Sequence, residues 1–241
     1  EEDMTRLIYS SCFVFFLFSF SILQAKKKAS MFGGTPSRNM VSSEKGLPSN
    51  WSLDTGENIL WEKDLGTQSY GGPVVFNGQI YVGTNNESLR NPKLSGDRGN
   101  LIAFRTSDGK FLWQSAHPKL VAGRIHDWPQ QGVCSGPYVE ENRIYYVSNR
   151  AEIICADTEG FHDDENDGPF QDEKHTSPID EDVIWKVDMM GELDVFPHNL
   201  AAGSPLVVEN LLFTVTGNGV DEGHFNVPIP MAPSFLALNK N

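Results

Sequence analysis

The sequence predicts an all-β protein, a β-propeller of four-stranded antiparallel blades, and three observations carry that expectation. One phrase recurs three times: Gly72-Pro73-Val74-Val75 before Gln79-Ile80-Tyr81-Val82, Gly136-Pro137-Tyr138-Val139 before Arg143-Ile144-Tyr145-Tyr146, and Ser204-Pro205-Leu206-Val207 before Leu211-Leu212-Phe213. In each copy an aromatic, Tyr81, Tyr145 or Phe213, falls eight residues after the proline, and the prolines stand 64 and 68 residues apart. A tryptophan recurs between the copies, in Ile59-Leu60-Trp61, Phe111-Leu112-Trp113 and Val183-Ile184-Trp185. No long stretch places apolar residues at the helical spacing i, i+3, i+4, i+7. Repetition at a fixed period marks an array of like supersecondary units, and four short strands per unit is the propeller plan. A generic β-sandwich has no need of one phrase at one offset three times.

The elements follow in order. Residues 58–64 read as the fourth strand of a preceding blade. The first full blade reads as strands at 72–76, 79–84, 100–105 and 110–114. Asn77-Gly78 joins the first two, a strong hairpin signal because both residues tolerate positive φ. The second blade reads as 135–139, 143–148, 151–156 and, after an insertion, 182–187. The third reads as 204–208, 211–217 and 234–238. Residues 235–241 repeat the pattern of 101–107, so the chain is expected to stop inside a blade. About three blades would then be present, an incomplete ring belonging to a propeller of seven or eight.

The frame Ala103-Phe104-Arg105-Thr106-Ser107-Asp108-Gly109-Lys110-Phe111-Leu112-Trp113 resembles the tryptophan-docking motif of pyrroloquinoline-quinone (PQQ)-like propellers, roughly Ala-x-Asp-x-x-Thr-Gly-Lys-x-x-Trp. Ala156-Asp157-Thr158-Glu159-Gly160 echoes its first half, as does Ala237-Leu238-Asn239-Lys240. The resemblance covers residues 57–241, and the stretch from Met31-Phe32-Gly33-Gly34 to Trp51 is similar to the lead-in of an exported bacterial branch of these proteins. It implies that Trp61, Trp113 and Trp185 stack against neighbouring blades as structural anchors. A large buried indole dominates its local packing.

The ends and the charge speak to the compartment. Met4 reads as the start, with residues 1–3 upstream of it. Arg6, an apolar run from Leu7 to Leu23, and Ala25 form a signal-peptide pattern over 1–25, followed by a lead-in at 26–56 and blades at 57–241. The expected location is periplasmic or extracellular; an uncleaved membrane anchor is the alternative, and contact with a membrane would come only through that leader. Net charge is −13, the wrong sign for a nucleic-acid footprint. Beyond the leader only Cys134 and Cys155 remain, read as small buried residues rather than a disulfide, because next-but-one strands lie too far apart.

Strand order assigns the loops to two faces. Loops between second and third strands, and from fourth to next first, share one face: 66–71, 85–99, 115–132, 188–203 and 218–233. The opposite face has tight turns and one acidic excursion at 158–181. Long loops on a rigid scaffold carry function. The candidate ligand residues on the long-loop face are Asn85, Asn86, Arg124, His126, Asp127, Trp128, His198, Asn199 and His224, with Arg124 and Asp127 the nearest to catalytic candidates. No tight His spacing indicates a metal. In the excursion, Asp163, Glu165 and Asp167 sit at calcium-loop spacing, but Lys174 stands where a bidentate Glu is needed, so it reads as a solvated acidic loop.

Three functions remain from this reading, one of them another hydrolytic or carbohydrate-binding role. The first is a non-catalytic exported scaffold, binding a protein partner or a small polar ligand on the long-loop face. The alternative is a PQQ- and calcium-dependent quinoprotein dehydrogenase. The resemblance would then imply an Asp base, Glu and Asn on the metal, and often a vicinal Cys-Cys pair. The chain has no Cys-Cys pair, and Arg105 stands where the motif has Asp. A fold shared with an enzyme does not transfer its activity.

Overall fold

The computed structural model describes residues 29–241. The leader at 1–25 lies outside the described residues. Among the described residues, thirteen strands form three antiparallel sheets. The first blade is β2 (Val74–Phe76), β3 (Gln79–Asn85), β4 (Arg98–Arg105) and β5 (Phe111–Gln114), with the two-residue β6 (His117–Pro118) on β4. The second is β7 (Tyr138–Glu140), β8 (Arg143–Val147), β9 (Glu152–Asp157) and β10 (Val183–Asp188), with β1 (Ala29–Met31) added at its inner edge. The third is β11 (Leu206–Val208), β12 (Leu211–Val215) and β13 (Phe235–Asn239). β2–β5 and β7–β13 each overlap a segment expected from sequence, whereas β1 and β6 fall outside those segments.

Local chemistry explains the hairpins. Asn77 and Gly78 both take positive φ, +46° and +81°, which matches the twist of the strands they join. Within the sheets, the aromatic of each repeat faces one small residue: Tyr81 opposite Ala103, Tyr145 opposite Cys155, Phe213 opposite Ala237. The pairing corrects the motif alignment by one residue. Cys155, not Ala156, occupies the alanine position, and Asp157 stands where the first blade has Arg105. Cys134 and Cys155 are both free thiols.

The core lies between sheets. Tyr81, Ala103 and Trp113 of the first blade pack with Val139, Ile144 and Ile154 of the second. Tyr145, Cys155 and Ile184 pack with Val207 and Leu212 of the third. The recurring tryptophans bolt this stack together. The indole N–H of Trp61 donates to Thr106 O at 2.8 Å, that of Trp113 to Thr158 O at 2.9 Å, and that of Trp185 to Lys240 O at 3.1 Å. Each acceptor lies three residues beyond the small residue that faces the repeat aromatic.

Two details differ from the sequence reading. Residues 58–64 are not a strand; Trp61 docks, but its backbone has no third strand to pair with among the described residues. The lead-in carries more structure than expected. β1 runs antiparallel to β7, with Ala29 opposite Glu140 and Met31 opposite Tyr138. Arg38 Nη2 then donates to Ser204 O at 2.9 Å and Pro205 O at 2.7 Å in the third blade. Among the described residues, no helix is long and apolar enough to cross a membrane.

Candidate functional site

Backbone bonds between neighbours knit the long loops into one layer. Trp128 N donates to Asn199 O and Asn199 N to Ile125 O, both at 2.8 Å. His198 N donates to Gly217 O at 3.1 Å, and Gln130 N to Asp97 Oδ2 at 2.7 Å.

The structure divides the nine candidate residues in two. Arg124, His126, Trp128, His198, Asn199 and His224 come together at the outer surface. The Arg124 guanidinium lies 4.6 Å from the centre of the Trp128 ring and 3.6 Å from Glu222. His126 Nδ1 bonds Pro197 O at 2.9 Å while its ring stands edge-on to Phe196. His198 bonds Val220 O at 3.0 Å, and its ring meets that of His224 at 4.6 Å.

Asn85, Asn86 and Asp127 are buried, against the expectation of a ligand role. Asn85 Nδ2 donates to Thr67 Oγ1 and Gln130 O, and its Oδ1 accepts from Thr67 N and Glu87 N. Asn86 Nδ2 donates to Leu94 O and Gly96 O. Asp127 accepts from Lys119 Nζ, from Leu120 N at 2.9 Å and from Asn149 Nδ2 at 2.8 Å. Burial pushes the Asp127 carboxyl above the ordinary range, and its three donors pull the other way. These side chains satisfy backbone and charge that the loops bury, which is what loop Asx residues commonly do.

A second feature escaped the sequence reading. A cavity of about 480 Å³ opens between the first and second blades, walled by β5 and the segment after it, by β9 and β10, and by the acidic excursion. The excursion is not simply solvated: Gly160 packs on Trp113, and Phe170 N donates to Ile184 O. At the cavity wall Tyr146 OH donates to Glu181 Oε1 at 2.6 Å, and His117 Nε2 lies 2.7 Å from the same hydroxyl. Burial holds His117 down to about 4 and pushes Glu181 up to about 8. Both are therefore largely neutral near pH 7. The signal available in the sequence was the insertion itself, which the first blade lacks between its third and fourth strands.

Residues 50–160 match the family model described as outer membrane protein assembly factor BamB. That match covers the first blade and part of the second, and it agrees with the docked tryptophans and aligned repeats. Over those residues the chain resembles the PQQ-like β-propeller repeat proteins. Among solved structures, this PQQ-like propeller is similar to a europium-containing methanol dehydrogenase, at 15% identity and a TM-score of 0.40, over 66% of this chain and 23% of that one. It is also similar to BamB from Moraxella catarrhalis, at 13% identity and a TM-score of 0.28, over 66% of this chain and 45% of that one. The chain thus spans under half the length of either. No curated protein matches it in sequence.

Among the described residues, the candidate side chains do not form a site for PQQ with calcium. Asn85, Asn86 and Asp127 are committed inside the protein. Among the described residues, no three His, Cys, Asp or Glu converge on a point where a metal ion would sit.

Proposed function

We propose that this PQQ-like propeller is an exported, non-catalytic binding or assembly scaffold that engages a protein partner through its long-loop face. The observation that carries this reading is apolar exposure on a braced surface. Val121 is 106% exposed, Met231 92% and Phe225 89%, all on the long loops. Their loops meet through the Arg124–Glu222 pair. Large apolar side chains beside an Arg stacked on a Trp are the composition of a protein-binding hot spot. The family description, an assembly factor of the outer membrane, names work of the same kind, and the apolar leader over 7–23 agrees with export.

Substitution of the exposed anchors tests this. Val121→Asp with Phe225→Asp is expected to abolish co-purification of an envelope partner while leaving the melting temperature unchanged. Retained co-purification would contradict it. The alternative, a PQQ- and calcium-dependent dehydrogenase, is tested by calorimetric titration of PQQ with calcium into the full-length protein. No saturable heat is expected, and one-to-one binding would overturn the scaffold reading.

A further inference from the structure

The cavity between the first two blades stands apart from the long-loop anchors. Most of its polar groups are satisfied by the protein. Asp180 accepts from Ser177 Oγ and from Asn91 Nδ2. Glu152 is held by Lys186 at 3.4 Å and by Arg150 at 3.6 Å, so both cations are already engaged.

Two side chains in the wall hold buried polar atoms that have no partner. Gln114 is 1% exposed, and neither its amide oxygen nor its amide nitrogen has a partner among the described residues. Glu173, on the acidic excursion, has both carboxylate oxygens shielded from solvent and likewise unpartnered. Buried polar groups in folded proteins are nearly always bonded, so an unmade pair calls for a reason. Here the two line one cavity.

We propose that this cavity binds a small amine-bearing polyol, a molecule of the amino-sugar class. The complementarity runs group by group. A primary amide offers one acceptor and two donors, which hydroxyl groups match in both directions. An unpaired carboxylate calls for a charged N–H donor, and such a bond is about twice as strong as a neutral one. An anion at this point would meet the unpartnered Glu173 carboxylate. A metal ion lacks a converging donor set among the described residues. The volume, about 480 Å³, falls within the roughly 300–1,000 Å³ of small-molecule sites.

Glucosamine and glucose differ in one ammonium group and make the decisive pair of probes. Calorimetric titration into the full chain is expected to show one-to-one binding of glucosamine, about tenfold or more tighter than glucose. Glu173→Gln is expected to remove most of that preference. Gln114→Leu should weaken both sugars and leave the melting temperature unchanged or higher, since it removes an unpaired buried amide. Equal affinity for the two sugars, binding untouched by both substitutions, or no glucosamine heat at about 10 mM, a ligand level that would saturate even a weak millimolar site, would each overturn the proposal. So would a Gln114→Leu protein that melts lower, because the amide would then be bonded within the fold.

Discussion

The ring of Phe32 packs against Gly72, where a Cβ would lie 2.7 Å from a ring carbon. The same side chain meets Gly136, at 2.9 Å. These are the glycines before the prolines of the first two repeats. The small-Pro phrase is therefore a seat for the lead-in as well as a strand start. In the third copy the seat changes: Ser204 Oγ accepts from Gly136 N at 2.9 Å, and Arg38 caps Ser204 O. Gly72→Ala should cost about 1–3 kcal/mol through overpacking. Combined with Phe32→Ala it should cost less than the sum of the two, with a coupling of about 0.5–3 kcal/mol in urea denaturation. Additive costs would contradict the contact.

Trp113 is fully buried and donates to Thr158 O, an acceptor it shares with Tyr81 OH at 3.2 Å. Trp113→Ala should cost about 3–5 kcal/mol. Trp113→Phe should cost less, because Tyr81 still supplies that carbonyl with a donor. Equilibrium denaturation of the two variants checks the order; equal losses would show that the indole N–H, not the packing, dominates.

Lys119 holds Asp127 inside the long-loop layer and also donates to Trp128 O at 2.7 Å and Gln131 O at 2.6 Å. Lys119→Met would leave a buried charge unpaired and is expected to cost about 3–5 kcal/mol. Adding Asp127→Asn should recover part of it. Failure of any recovery, followed by thermal melting, would mean that Lys119 acts only through the carbonyls.

Stability should fall with rising pH above neutrality. Glu181 has its pKa raised by burial to about 8, so the folded state holds a proton that the unfolded state releases near its ordinary value. The stability this proton represents is present at low pH and lost as pH rises through about 8. His117, lowered by burial to about 4, works the opposite way and adds stability as pH rises towards its ordinary value. The two oppose each other in mildly acid solution and leave Glu181 alone above neutrality. Between pH 6.5 and 9 the loss should be on the order of 2 kcal/mol. Glu181→Gln should flatten that decline in urea titrations; an unchanged slope would contradict the assignment.

The strands were legible because their signals are local. The Asn77-Gly78 turn and the repeated aromatic offset place β2 and β3 within two residues of their bounds. Residues 58–64 carry the same kind of pattern, yet strand formation also requires a partner edge. β1 has no alternating pattern in Ala29-Ser30-Met31, and the exposed edge of β7 makes it a strand. Cys155 and Ala156 are both small, so only pairing with Tyr145 settles which one holds the repeat position. At the site, Arg124 and Trp128 were readable as surface chemistry, whereas Asp127 looks the same in sequence and is buried by Lys119. The cavity was not readable because Gln114 and Glu173 line one cavity only when the excursion folds back across the first blade.

Photo-crosslinking in cells tests the long-loop face most directly, with a benzoyl-phenylalanine placed at Val121 or Phe225 and, as a control, at Asn142 in the tight turn of the opposite face. The expected result is a discrete crosslink to one envelope protein from the first two positions, lost with Arg124→Ala, and none from the third. Crosslinks of equal strength from Asn142, or none from Val121 and Phe225, would contradict a partner-binding role for that face.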